Sequence, residues 1–172
     1  TNQLTSSKMG KEIFKAIASD IKSAEYIKNT FDDAINYYAD KLKSDIIDKL
    51  KEKYPKTVIE IKEDSSISNM FVWFPKEEIH FGIESFNNNS IFQIKEGGRN
   101  HLIIGRVDWR GKDSGHNISH GIWLKDFQKK EICAKYELFE KIKQYSSNNN
   151  SRSKVINDIF EEITDYIDSH LS

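Results

Sequence analysis

The sequence predicts an α+β domain: N-terminal helices, a central antiparallel meander of about five strands, and two C-terminal helices packed on the sheet. Three observations carry this reading. Apolar residues recur every three or four positions near both ends of the chain, the period of a helix buried along one side. Short runs between them alternate apolar and polar, the period of a strand. Clusters of Asn, Gly and Ser separate those runs, which is the punctuation of antiparallel hairpins.

The first helix is expected from about Ser7 to Asn29. Ile13, Ile17 and Ile21 recur at spacing four, Ala24 and Ile27 continue the stripe, and Lys and Glu fill the opposite side. Thr30 is then expected to cap a second helix, with Asp32 and Asp33 in a first turn whose dipole favours acids. Its stripe is Ile35, Tyr38, Leu42, Ile46 and Leu50, and it ends before Pro55, because a residue preceding proline is pushed out of the helical region.

Strands are expected at Val58 to Lys62, Met70 to Phe74, Ile79 to Phe86, Ile91 to Lys95 and Leu102 to Trp109, with a short sixth at Gly121 to Leu124. Helical spacing returns from about Asp126, where Ile132, Tyr136, Phe139 and Ile142 line one face. A polar loop is expected at Ser146 to Ser151, and Ser153 is placed to cap the last helix, with its stripe of Ile156, Ile159, Phe160, Ile163, Tyr166 and Ile167. No internal repeat appears, and residues 1–172 read as a single domain.

Composition narrows the function classes. The chain has 172 residues, with 26 Lys and Arg against 27 Asp and Glu, so no global field selects nucleic acid or an anionic membrane. An aromatic content of 12% supplies a core that a disordered chain lacks. No apolar run reaches the roughly 18–20 residues that cross a bilayer, so no membrane helix is expected. A single cysteine, Cys133, cannot form an intramolecular disulfide, which excludes a stapled secreted scaffold. Without a charged-then-apolar leader, the expected location is the cytoplasm. Ile over Val, Lys over Arg and abundant Asn read as AT-rich bacterial or phage coding. The chain opens at Thr1, which fits either a removed initiator Met or a piece of a longer protein.

Four groups of residues are candidates for chemistry. The first follows from Asn87-Asn88-Asn89, since Asn tolerates the positive backbone angles of a tight turn. With Asn88 and Asn89 as the turn, Glu84 faces Gln93, and Glu84, Gln93 and Lys95 gather on one face. Residues i and i+2 of a strand share a face, so an oxygen ligand and a lysine are placed beside one metal position; Mg²⁺ takes such hard oxygen ligands. The bland alternative is a Glu–Lys cross-strand pair on a solvated face.

The second is the polar, glycine-punctuated segment Arg106 to Gly121, where His116 and His120 have helical i, i+4 spacing; no Glu-x-x follows the first His, and Cys133 is too isolated to complete a zinc site. No metal site is expected there. The third is contact with nucleic acid or another partner through Arg99, Arg106, Trp109, Arg110, Lys112, His116 and His120, which place cations beside an aromatic ring. The fourth is the run Phe71-Val72-Trp73-Phe74, which points apolar groups to both sides of its strand, so that the chain itself or a partner must cover the second face. Cys133 reads as a small buried hydrophobe, and His80 and His101 as plain strand residues.

The acidic residue Glu84 followed on the next strand by Gln93-x-Lys95 resembles the active-site pattern of PD-(D/E)XK nucleases, which would imply Mg²⁺ held by Glu84 and Gln93 and water oriented by Lys95. Glu84 stands where that family usually has Asp, Gln93 where most members have Glu or Asp, and a strand rather than a helix follows. A broader likeness runs through Ile79-His80-Phe81-Gly82-Ile83-Glu84, Trp123-Leu124-Lys125-Asp126-Phe127 and the closing helices. Over about residues 55–170 this order resembles the C-terminal accessory half of bacterial PD-(D/E)XK-superfamily proteins linked to phage defence. It implies a recognition or regulatory module, acting on a protein partner or on nucleic acid, with no cofactor. The nuclease reading, with Mg²⁺, is the alternative.

Overall fold

The computed structural model describes residues 2–63, 68–84, 102–108, 122–123, 130–132 and 137–171. They form two compact units, residues 1–37 and 38–172.

The first unit holds helix α1 (Asn2–Ser19) and the start of helix α2 (Ile21–Lys53). The break between them is Asp20. Its amide is shared between the Ala16 and Ile17 carbonyls at 3.3 Å each, and Ser19 Oγ donates back to the Ala16 carbonyl at 2.8 Å. The Asp20 carboxylate then accepts from the Ser23 amide (3.0 Å) and the Ser23 hydroxyl (2.6 Å), which satisfies donors that a helix start leaves open. The break expected at Thr30 is therefore displaced ten positions toward the N-terminus. Thr30 lies inside α2, its hydroxyl donating to the Tyr26 carbonyl at 2.8 Å rather than capping a new helix.

In the second unit α2 ends as expected before Pro55. The Tyr54 amide still reaches the Leu50 carbonyl (2.8 Å), and Thr57 closes the turn onto the Tyr54 carbonyl through both its amide (3.1 Å) and its hydroxyl (2.6 Å). Strands β1 (Val58–Glu63), β2 (Ser68–Phe74), β3 (Ile79–Glu84) and β4 (Ile103–Asp108) follow as an antiparallel meander. A four-residue turn, Pro75 to Glu78, joins β2 to β3, with Glu78 in the left-handed region at φ 54°. The far edge of β4 is shared by two short pieces: β5 (Ile122–Trp123) lies opposite Asp108 and Val107, and β6 (Lys130–Glu131) opposite Ile104 and Ile103.

The strand at β6 corrects the expectation of a helix from Asp126. Ile132 donates its amide to the Leu102 carbonyl at 2.8 Å, so residues 130–132 extend the sheet, and the next helix among the described residues is α3 (Glu137–Ser147). The polar run after it is not a loop either. Asn148 alone separates α3 from α4 (Asn149–Leu171). Its Oδ1 accepts from the Ser151 amide at 2.9 Å, so Asn148 is the cap and Ser153 lies within the helix.

Register partners share a face of an antiparallel sheet. Val72 and Phe81 (partners), with Met70, Ile83 and Ile104, form the face that packs on the helices. Phe81 is fully buried, edge-on to Phe74 (centroids 5.7 Å) and to Tyr166 of α4 (6.1 Å), while Phe74 meets Tyr54 edge-on (5.2 Å). Leu42, Ile46 and Leu50 of α2, Leu138 and Ile142 of α3, and Ile159, Ile163 and Ile167 of α4 complete this core. The opposite face is buried at its centre too, at Phe71, Ile103 and Val107. Phe71 pairs with Gly82, and Gly82 with Gly105, so two positions without side chains leave room on that face for the ring.

Both edges of β3 are occupied. Gly82 pairs with Phe71 and Gly105, and Ile83 with Met70 and Ile104. The expected hairpin would set Ile94 and Lys95 against these same two residues, so β3 does not offer an edge for that register. Residues 91–95 themselves lie outside the described residues.

Candidate functional site

Large apolar side chains left exposed are concentrated in the first unit: nine of eleven such residues lie between Met9 and Tyr37, and only Val58 and Ile61 lie elsewhere among the described residues. They sit on an amphipathic repeat. Ile13, Ile17, Asp20, Ala24, Ile27 and Phe31 follow alternating spacings of four and three, the heptad period that keeps one seam facing a partner. Phe14 and Ile21 widen the seam on one side. The charges that would solubilise a bare helix, such as Lys8, Lys15 and Lys22 at spacing seven, fall on the opposite side.

The structure shapes this seam into a groove of about 570 Å³. Ile13, Ala16 and Ile17 of α1 and Ala24, Ile27 and Phe31 of α2 form its walls, and the only polar residues in the lining are Asp20, Ser23 and Lys28. Hydrogen bonds from the Ser23 hydroxyl and amide hold Asp20 below its ordinary pKa, so an ionised carboxylate stands among the apolar walls, with Lys28 in the same lining. The sequence stripe Ile13, Ile17, Ile21, Ala24, Ile27 was expected to be core. Instead Ile13 is 52% exposed and Ile27 67%. Its periodicity identifies the apolar face but carries no information about what covers it.

A second concavity, about 250 Å³, lies where α2 ends, between Tyr54, Pro55, Phe74 and Pro75, with Lys53, Lys56 and Lys76 around it. Its chemistry is structural. Asp168 of α4 accepts from Tyr54 Oη at 2.7 Å and from Lys53 Nζ at 2.6 Å. Burial and the Asp168 carboxylate both push the Tyr54 phenol far up, so it remains a donor. Burial raises Asp168, but the bonds from Lys53 and Tyr54 outweigh it and leave the carboxyl below its ordinary value.

Of the catalytic and binding residues expected from sequence, Glu84 and Arg106 are described. Glu84 ends β3 opposite Ile103, half-buried, on the face shared with His80 and Gly82. Arg106 is half-buried on the other face, opposite Phe81, where its backbone and charge bear on the Tyr166 hydroxyl. The sheet therefore sets these two on opposite sides. Gln93, Lys95, Arg99, Trp109, Arg110, Lys112, His116, His120 and Cys133 lie outside the described residues. His80 stacks on Trp73 (centroids 3.9 Å, planes 21° apart), and burial lowers its pKa. Among the described residues no three His, Cys, Asp or Glu side chains converge to hold a metal ion, and no helix is long and apolar enough to cross a membrane.

Comparison with known proteins leaves the site to be read on its own chemistry. No protein-family model, curated protein or solved structure matches this chain.

Proposed function

We propose that this chain acts by binding, as a recognition or regulatory module of a bacterial or phage nucleic-acid-processing, defence-type system. It works in the cytoplasm on a protein partner, with no catalytic step and no cofactor of its own. The binding part rests on one observation, the apolar groove of α1 and α2 left exposed in the first unit. Monomeric proteins rarely expose contiguous apolar surface beyond a few hundred Å², and a rimmed patch of that kind marks an interaction site. The setting rests on the resemblance carried by Ile79 to Glu84, Trp123 to Phe127 and the closing helices. The nuclease alternative, with Mg²⁺ held by Glu84 and Gln93 beside Lys95, draws no support from the pairing of β3.

Site-specific photo-crosslinking tests the binding reading. A crosslinking amino acid at Ile17 or Ile27, in cells expressing the full chain, is expected to form a discrete protein adduct, whereas the same group at Lys15 or Lys22 on the polar side is not. Absence of adducts from both apolar positions would overturn it.

A further inference from the structure

We infer that the occupant of this groove is a second copy of the chain, its helical arm lying antiparallel across a two-fold axis beside Ala24; this rests on the binding reading above and names its partner. Three features of the arm argue for self-pairing.

The first is area. Met9, Ile13, Phe14, Ile17, Ile21, Ile27 and Phe31 leave 47–71% of their surface exposed. With about 200 Å² for a large apolar or aromatic side chain, that amounts to roughly 800 Å² per copy, of which Ile17, Ile21, Ile27 and Phe31, set against one another by the axis, supply roughly 460 Å², a small interface.

The second is charge. A two-fold axis beside Ala24 sets each residue against the one equally far on the other side. Asp20 of one arm then meets Lys28 of the other, twice by symmetry, and these are the only charged residues of the lining. Ile21 meets Ile27, Ile17 meets Phe31, and Ala24, the small residue at the centre, lets the two backbones approach.

The third is what the arm lacks as a lipid anchor. From Lys8 to Phe31 five lysines against Glu12, Asp20 and Glu25 give the arm a cation excess, but Asp20 is ionised within the apolar face itself. An interfacial helix places cations in excess on its polar side and no anion in the acyl region. A protein surface that supplies a lysine opposite Asp20 solves this, and the same groove carries that lysine.

Sedimentation velocity on the full chain at micromolar concentration is the test. A dimer is expected. Lys28→Glu sets like charges against Asp20 and is expected to raise the dimer dissociation constant about tenfold or more. Adding Asp20→Asn keeps the helix cap while removing the repulsion, so Asp20→Asn/Lys28→Glu is expected to recover most of the loss, which a role in folding alone would not produce. In a Cys133→Ser background, Ala24→Cys is expected to form a disulfide-linked dimer on mild oxidation and Lys22→Cys is not. A circular-dichroism melt of each variant confirms that it is folded. A monomer at all concentrations, or a monomer that pellets with anionic vesicles, overturns the inference. The crosslinks from Ile17 and Ile27 separate the two levels: an adduct with an unlike protein keeps the binding reading and removes self-pairing, whereas no adduct removes both.

Discussion

Tyr145 Oη donates a 2.6 Å hydrogen bond to Asp45 Oδ2, joining residues a hundred positions apart in the chain. The Tyr145 ring is completely buried, with Tyr38 edge-on at 6.1 Å and the Arg152 guanidinium 5.1 Å from its centroid. A buried tyrosine needs a partner for its hydroxyl. Here that partner is on α2, so the end of α3 is fixed to α2 before α4 begins four residues later. The arrangement makes one polar contact decisive for how the helices of the second unit assemble.

Removing that hydroxyl should therefore be costly. Tyr145→Phe is expected to lower stability by about 1.5–3 kcal/mol, the scale of a hydrogen bond to a charged group plus the acceptor it strands. Tyr145→Ala should lose about 3–5 kcal/mol. Urea denaturation followed by circular dichroism measures both, and a Tyr145→Phe midpoint equal to that of the parent would show that the bond contributes nothing.

Two isoleucines on one helix should behave oppositely. Ile46 is fully buried and Ile27 is 67% exposed. Ile46→Ala is expected to cost about 2–5 kcal/mol by leaving a cavity. Ile27→Ala should change the same transition by less than about 0.5 kcal/mol when the protein is dilute enough to be monomeric. Equal effects would mean that the arm is part of the core.

The acid response should come in two stages. His80 is lowered by burial, so the unfolded chain binds its proton first as pH falls below about 6.5, and stability is lost from there downward. Asp168 is also depressed, as is Asp158, which accepts from Lys154 at 2.7 Å and Lys141 at 3.3 Å. A lowered carboxylate stabilises above its unfolded pKa and stops doing so as pH falls through its folded value, so this second loss begins below about pH 4. Asp168 is half exposed, so screening keeps its share under about 1 kcal/mol. Denaturation midpoints across pH should show Asp168→Asn destabilising at pH 7, with the deficit shrinking as pH falls below about 4. His80→Gln should flatten the slope between pH 6.5 and 5. An Asp168→Asn deficit that persists unchanged into acid would contradict the assignment.

The single-residue link between α3 and α4 offers a local test. Asn148→Ala is expected to cost about 1 kcal/mol and Asn148→Gly only a few tenths, because glycine tolerates the cap geometry without supplying the side-chain acceptor. Thermal melts resolve the difference.

Several features were legible before any coordinates. The stripe Leu42, Ile46, Leu50 and the stripe Ile159, Ile163, Ile167 read as buried helix faces and are buried. Alternation marked β1, β3 and β4, because period two survives wherever one face is packed, and a short, almost wholly apolar run marked β2. Breaks were harder. Thr30 and Asp20 are both acceptable cap residues, and only the position of Ser23 three residues beyond Asp20 tips the choice. Ile132 fits a helical stripe and a strand equally well, and the open edge of β4 decided for the strand. The register at Glu84 was lost for a related reason: a hairpin can be drawn from turn residues alone, but a strand has two edges, and β2 and β4 take both at Gly82 and Ile83.

The order of side chains determined by itself which stretches coil, which extend, and which side of each is apolar, because these depend on neighbours within a few positions. Only the assembled structure decided that the face of Leu42, Ile46 and Leu50 is used internally while that of Ile13, Ile17 and Ile27 stays open as a groove. The physical reason is that a hydrophobic stripe is a demand for burial without an address: burial is non-directional, and what satisfies it lies at long range in the chain or on another molecule.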